Sequence, residues 1–169
     1  MSEENLLAGK RILIVDDEPD VLEVLKDMLS MCQVSKPTTF EEARELLETQ
    51  PFDLAILDIM GVNGYALLNI AKKKNITAVM LTAHAFSPEN LLKSMKEGAD
   101  SYLPKEKMKK ITDFLVDILN AQKEEKSPWI PWHERLPTSY FEKRWGAAWR
   151  NKEKEFWEAF RAGLKNRKT

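Results

Sequence analysis

"ILIVDDEPDVLEVLKDML", residues 12–29, decides how the rest of the chain is read. Four apolar residues in a row stop at Asp16, Asp17 and Glu18. Apolar residues then return at helical spacing as Val21, Leu22, Leu25, Met28 and Leu29. An unbroken apolar run suits a strand covered on both faces, and Pro19 is a favoured first-turn residue for the helix that follows. The same unit recurs. The runs "LAIL" (54–57), "AVML" (78–81) and "SYL" (101–103) are each followed by punctuation and a helix-like segment, a parallel α/β pattern. A weaker run, "CQVSK" (32–36), precedes Pro37, which cannot donate to a ladder, so this second strand belongs at a sheet edge.

Helix signals fill the intervals. Thr39 and Glu42 form a capping box for a helix through Leu46 and Leu47. Tyr65 to Ala71 reads as helix, as does the segment opened by Ser87-Pro88 and closed by Gly98. Met108, Ile111, Leu115 and Ile118 define another helical face. The expectation is five strands and five helices, followed by one linker-like charged stretch, "AQKEEKSP" (121–128). There is no internal repeat.

With 169 residues and 43% hydrophobic content, the chain can close one main core and retain an appendage. Its 26 basic and 27 acidic side chains leave a formal net charge of -1, which signals neither a nucleic-acid nor a membrane partner. The distribution is uneven: residues 1–126 carry 16 basic and 22 acidic groups (net -6), while 127–169 carry 10 and 5 (net +5). Cys32 is the only cysteine, "MSEENLLAGK" lacks a secretory apolar stretch, and no run approaches the ~18 apolar residues of a membrane span. A cytoplasmic protein is expected.

In an open parallel sheet the functional crevice lies beyond the carboxyl ends of the strands. Those ends carry Asp16-Asp17-Glu18, then Asp58, then Thr82-Ala83, then Pro104-Lys105. Each alone is an ordinary solvated edge or cap; together they define a site. Converging carboxylates repel unless neutralised, and an all-oxygen acidic cluster suits Mg²⁺ or Mn²⁺. One acid can then act as nucleophile toward phosphorus, forming an acyl phosphate. Lys105 offers a mobile ammonium and Thr82 a hydroxyl to the phosphoryl oxygens, while Ala83 leaves room. Asp58, on the middle strand, is the expected phosphoacceptor.

The stretches "ILIVDDEPD", "FDLAILDIMGVNG", "AVMLTA" and "GADSYLPK", in this order, resemble the CheY-like receiver domain of bacterial two-component response regulators. The resemblance covers residues 10 to about 122. It implies a flavodoxin-like, doubly wound five-stranded parallel sheet of order 2-1-3-4-5. It further implies that Asp58 is phosphorylated, Asp17 ligates the metal directly, Asp16 does so through water, and the Met60 backbone carbonyl is a further ligand. Thr82 and Lys105 would contact the phosphoryl group. Tyr102 matches an aromatic that swings between outward and inward positions; otherwise it is plain β-sheet packing. The implied partner is a cognate sensor histidine kinase or phosphotransfer protein in a phosphorelay, with a homodimer through the helix-four, strand-five, helix-five face or through the extension. Two positions depart from the family pattern. Gly61 stands where proline is usual, which implies a looser loop, and Glu106 replaces the proline after the lysine, which implies a differently shaped lysine loop. His84 is either a rim residue that tunes dephosphorylation or a surface loop residue. Lys72-Lys73-Lys74 reads as a solvated helix end.

The tail has its own composition. All five tryptophans, Trp129, Trp132, Trp145, Trp149 and Trp157, follow the linker. The expected organisation is a receiver over 1–122, a linker and extended segment over 123–137, and a Trp-rich helical extension over 138–169. "PWIPWHERLP" is expected to be extended. Ser139 and Glu142 read as a capping box for a helix that carries Phe141, Trp145 and Trp149, with Phe156, Ala159, Phe160 and Leu164 continuing its face and Gly146 as a weak point. So small a piece cannot bury that aromatic surface alone, so it either packs on its own receiver or a second copy, or serves as a partner-binding module uncovered when Asp58 is phosphorylated. The expected function is a phosphorylation-dependent switch acting through protein contacts, without an enzymatic output domain. A DNA-binding regulator working through the basic tail is one alternative, although no helix-turn-helix signature is present. A phosphorylation-independent pseudo-receiver scaffold is another. A phosphatase or flavin protein on the same fold would need a different loop after strand one than "DDEPD".

Overall fold

The computed structural model describes residues 6–83 and 86–167. Five parallel strands, β1 (Arg11–Val15), β2 (Gln33–Ser35), β3 (Leu54–Asp58), β4 (Thr77–Thr82) and β5 (Ser101–Pro104), form one sheet of order β2-β1-β3-β4-β5. Every residue of β3 and β4 is buried, as their uninterrupted apolar runs require when helices cover both faces. The three-residue β2 takes the edge, and Pro37 lies just beyond it. The register pairs Val15 with Leu57, Asp58 with Leu81 and Thr82 with Pro104, so the strands end together at one rim.

The crossover helices are α1 (Pro19–Met28), α2 (Phe40–Thr49), α3 (Gly64–Lys73) and α4 (Pro88–Lys96), and α5 (Ile111–Lys123) follows β5 through a 3₁₀ turn over Lys105–Lys110. α1 packs with α5, and α2 packs with α3. Thr39 Oγ1 accepts the Glu42 N–H at 3.1 Å, whereas the Glu42 carboxylate reaches back to the N–H of Thr38 rather than of Thr39. Ser87 Oγ caps α4 by accepting the Asn90 N–H at 3.1 Å. Lys72 is more than a solvated helix end, because its ammonium lies 3.0 Å from the buried Asp100 carboxylate.

The tail departs from expectation. α5 ends in a Schellman turn with Glu125 at φ 57° and Lys126 N–H bonded to Ala121 O at 2.8 Å, which turns the chain straight back. Residues 128–137, expected to be extended, instead contain α6 (Trp129–Arg135). Pro131 is compatible with this helix because it sits in the first turn, where a backbone N–H has no intrahelical acceptor in any case. Ser127 Oγ accepts the Trp129 N–H at 3.2 Å. α7 (Thr138–Trp145) begins one residue before the expected cap, so Ser139 lies inside it and Pro137 precedes it without a side-chain cap. Gly146, at φ +54°, separates α7 from α8 (Ala147–Arg167). The Leu164 side chain lies outside the described residues.

These three helices dock on the chain's own α4, β5 and α5. The Trp129 indole N–H donates to Ala99 O at 3.2 Å and the Trp132 indole to Tyr102 O at 2.9 Å, both on or beside β5. Trp132, Phe141, Trp149 and Phe156 are fully buried and continuous with the receiver core, and α8 packs on α4. The protein's own tail therefore packs on the helix-four, strand-five, helix-five face, one of the two surfaces expected for a homodimer. Among the described residues, no helix is long and apolar enough to cross a membrane.

Candidate functional site

The rim formed by the carboxyl ends of β1, β3, β4 and β5 encloses a cleft of about 360 Å³ lined by Asp17, Glu18, Asp58, Met60, Gly61, Thr82, Ala83 and Lys105. Asp16 joins this group through Lys105, whose ammonium lies 2.9 Å from its Oδ2. Asp16 is 1% exposed and Asp58 4%, whereas Asp17 and Glu18 are open to solvent. The predicted residues thus come together; His84 lies outside the described residues.

Lys105 is the centre of charge. Its ammonium lies 2.6 Å from Glu18 Oε1, 2.9 Å from Asp16 Oδ2 and 3.6 Å from Asp58 Oδ2. Burial works against the Lys105 charge, but the hydrogen bond to Glu18 and the close negative charge of Asp16 outweigh it and hold the pKa above its ordinary value. The peptide bond that follows is trans, and the chain runs directly into the 3₁₀ turn, so the missing proline does not pull Lys105 out of the site. Glu18 is the member whose role the sequence did not reveal. Only the fold brings it to a lysine 87 positions away.

The acids carry the electrostatic strain. Burial, then the neighbouring Asp16 charge, push the Asp58 carboxyl up to about 7, with Lys105 opposing and Asp17 adding to the rise. Asp16 is also raised, first by burial, although the Glu18 backbone N–H donates to its Oδ1 at 2.8 Å. Asp16 Oδ2 is buried without a well-directed hydrogen bond, since the nearby Lys105 ammonium approaches it off-line. Carboxylate oxygens of Asp16, Asp17 and Glu18 lie within 4.8 Å of one another. An under-satisfied buried oxygen beside crowded carboxylates is the arrangement a hard divalent cation relieves, so the donor set fits Mg²⁺.

Two glycines shape the loop after Asp58. Gly61 has φ +88°, which proline cannot adopt, and a side chain there would run into the Asp17 carboxylate. The departure from the family's proline is therefore a different backbone path pressed against Asp17, not merely a looser one. At Gly64 a Cβ would strike the Asp58 carbonyl, so α3 starts against the end of β3.

Thr82 is buried at the end of β4, and Tyr102 is buried on β5. The Tyr102 hydroxyl accepts the Ser87 N–H at 3.0 Å and lies 3.3 Å from the Ser87 carbonyl, to which it donates. Burial pushes its pKa upward, so it stays a neutral phenol. The loop that leaves Thr82 is thereby bonded to β5.

Comparison with known proteins gives the same picture. The model for "Response regulator receiver domain" matches residues 12–115. The two-component response regulator ARR10 of Arabidopsis thaliana is 34% identical over 119 residues, covering 64% of this chain and 21% of that protein. The response regulator protein PilR of Pseudomonas aeruginosa is 34% identical over 105 residues, covering 59% of this chain and 23% of that protein. The chain thus spans about a fifth of these curated relatives, which come from both plants and bacteria. Among solved structures, a CheY-like receiver domain protein from Methanospirillum hungatei superimposes with a TM-score of 0.62 at 30% identity, over 70% of this chain and 99% of that one. A response regulator from Chloroflexus aurantiacus gives 0.58 at 27% identity, over 66% of this chain and 98% of that one. The chain belongs to the response regulator receiver family, a phosphorylation-dependent signalling domain.

Proposed function

We propose that Asp58 is the phosphoacceptor of a Mg²⁺-dependent switch that acts through protein contacts. The observation that carries this reading is the meeting of Asp58, Asp16, Asp17, Thr82 and Lys105 around one cleft. An Asp58 oxygen attacks the phosphorus of a phosphohistidine on a sensor kinase or phosphotransfer protein, or of a small acyl phosphate. The bond from phosphorus to the donor breaks as the acyl phosphate forms, and the leaving imidazole or carboxylate departs with that electron pair. Lys105 shifts from its carboxylate partners to the phosphoryl oxygens, and the Thr82 hydroxyl donates to another. Asp16, Asp17, Asp58 and the Met60 carbonyl would hold the divalent ion. When bound, it neutralises their charge and that of the incoming phosphoryl group.

Phosphorylation places about two negative charges at Asp58, biasing Thr82, Tyr102 and α4 between two arrangements. The proposed output is contact with another protein, made by surface other than the tail's aromatic faces, which are buried against the receiver. The intact chain incubated with acetyl phosphate and Mg²⁺ gains the mass of one phosphoryl group, and chelating the ion abolishes the gain. A chain that stays at its starting mass in Mg²⁺ refutes the proposal.

A further inference from the structure

Glu106, the acid that replaces the family's proline, is where the tail meets the site. Its carboxylate receives the Tyr140 hydroxyl and the Arg144 guanidinium, both from α7. The next residue of α7, Trp145, donates its indole N–H to Phe86 O at 3.2 Å, and the two rings pack at 4.6 Å. The Arg144 guanidinium lies 5.0 Å from the Phe86 ring centroid. Phe86 stacks in turn on Tyr102 at 5.6 Å with 14° between planes. One short helix therefore grips the chain one residue past Lys105 and four residues past Thr82, the two groups assigned to the phosphoryl oxygens.

We infer that Arg144 and Trp145 are positioning residues for phosphoryl binding: α7 clamps the Thr82 and Lys105 loops in their receptive arrangement, so tail docking and occupancy of Asp58 favour each other. The inference rests on Asp58 being the phosphoacceptor. Two physical arguments set its direction. Loops held in advance give up less freedom when the ligand arrives, which raises affinity. Arg144 also neutralises Glu106, a carboxylate that would otherwise stand uncompensated beside the lysine meant for a phosphoryl dianion. Glu106 and Arg144 are both well exposed, so their ion pair adds little to docking itself, and the Trp145 contact carries most of the grip. Because linkage is reciprocal, filling the site must tighten the clamp by the same factor.

The test titrates Mg²⁺ with beryllofluoride into the full chain and its variants, and follows hydrogen exchange of the Trp145 indole. Trp145→Ala is expected to bind beryllofluoride about tenfold more weakly, within the roughly 5–150-fold span usual for such couplings, and Arg144→Gln more weakly than wild type by a smaller factor. Beryllofluoride slows exchange at the wild-type Trp145 N–H, which a merely structural contact would not show. Arg144→Gln removes an exposed side chain, so it keeps the test decisive if Trp145→Ala misfolds. Variants that bind as tightly as wild type or more tightly, with Trp145 exchange unmoved, overturn the clamp and leave the phosphoacceptor intact. A wild-type chain that binds no beryllofluoride overturns both.

Discussion

In chelator at pH 8, Asp58→Asn melts above the wild-type protein. This is an unusual direction for removing a site residue, and its sign follows from the titration. Asp58 has an unperturbed value of 3.8 and is pushed to about 7 by burial and by the Asp16 charge. An acid whose folded pKa is raised contributes stability that is complete below the unfolded value and is lost as pH climbs through the folded one. Wild-type stability should therefore fall between about pH 4 and pH 7 as this carboxyl is forced to ionise. At about 1.4 kcal/mol per unit the ceiling is ~4 kcal/mol, and relaxation of the cleft brings the expected gain for the amide to about 1–3 kcal/mol. The gap narrows toward pH 5, where wild-type Asp58 is already protonated. Saturating Mg²⁺ reverses the order, because binding to the folded state stabilises it and the amide has lost a ligand. Melting curves at both pH values, with and without Mg²⁺, check this; a variant less stable than wild type in chelator at pH 8 contradicts it.

Trp132→Ala strongly destabilises the docked tail and, with it, the folded chain. The ring is 1% exposed, its N–H holds the Tyr102 carbonyl, and it packs against Trp129 at 4.8 Å and Phe141 at 5.5 Å. Truncation of a buried aromatic costs about 3–5 kcal/mol, through lost transfer energy and the cavity left behind. For a chain of this size each kcal/mol is worth ~2–4 °C in melting temperature, so a fall of roughly 6–20 °C is expected. Trp132→Phe fills most of the space and forfeits mainly the hydrogen bond, about 1 kcal/mol. Denaturant melts compare the three proteins. If the alanine variant stays within ~1 kcal/mol of wild type, the tail is not docked on β5 as described.

The sheet was legible because the middle of a strand buried on both faces favours unbroken apolar residues and leaves polar ones to its ends, so "ILIV", "LAIL" and "AVML" stand out without any partner in view. The site was legible for a topological reason. Parallel strands deliver their carboxyl ends to one rim, so reading Asp16, Asp58, Thr82 and Lys105 off those ends amounts to reading a surface. The tail was legible in its need to dock but not in its route. Pro128 and Pro131 read as extended chain because proline breaks helix interiors, but Pro128 stands just before α6 and Pro131 within its first turn, where it breaks nothing. Neither the Glu18–Lys105 pair nor the hold of α7 on Glu106 leaves a mark in local pattern, since each joins residues that only the completed fold makes neighbours. Gly61 stands out in the sequence as a departure, yet that a side chain there would strike Asp17 follows only from the backbone path.

The most direct measurement uses the chemistry of the acyl phosphate. The chain is phosphorylated with acetyl phosphate and Mg²⁺, reduced with borohydride, and mapped by peptide mass spectrometry. Reduction converts a phosphorylated aspartate to homoserine, and the account predicts that product at residue 58 alone. Homoserine at any other position, or none in a chain that has taken up phosphoryl groups, would contradict it.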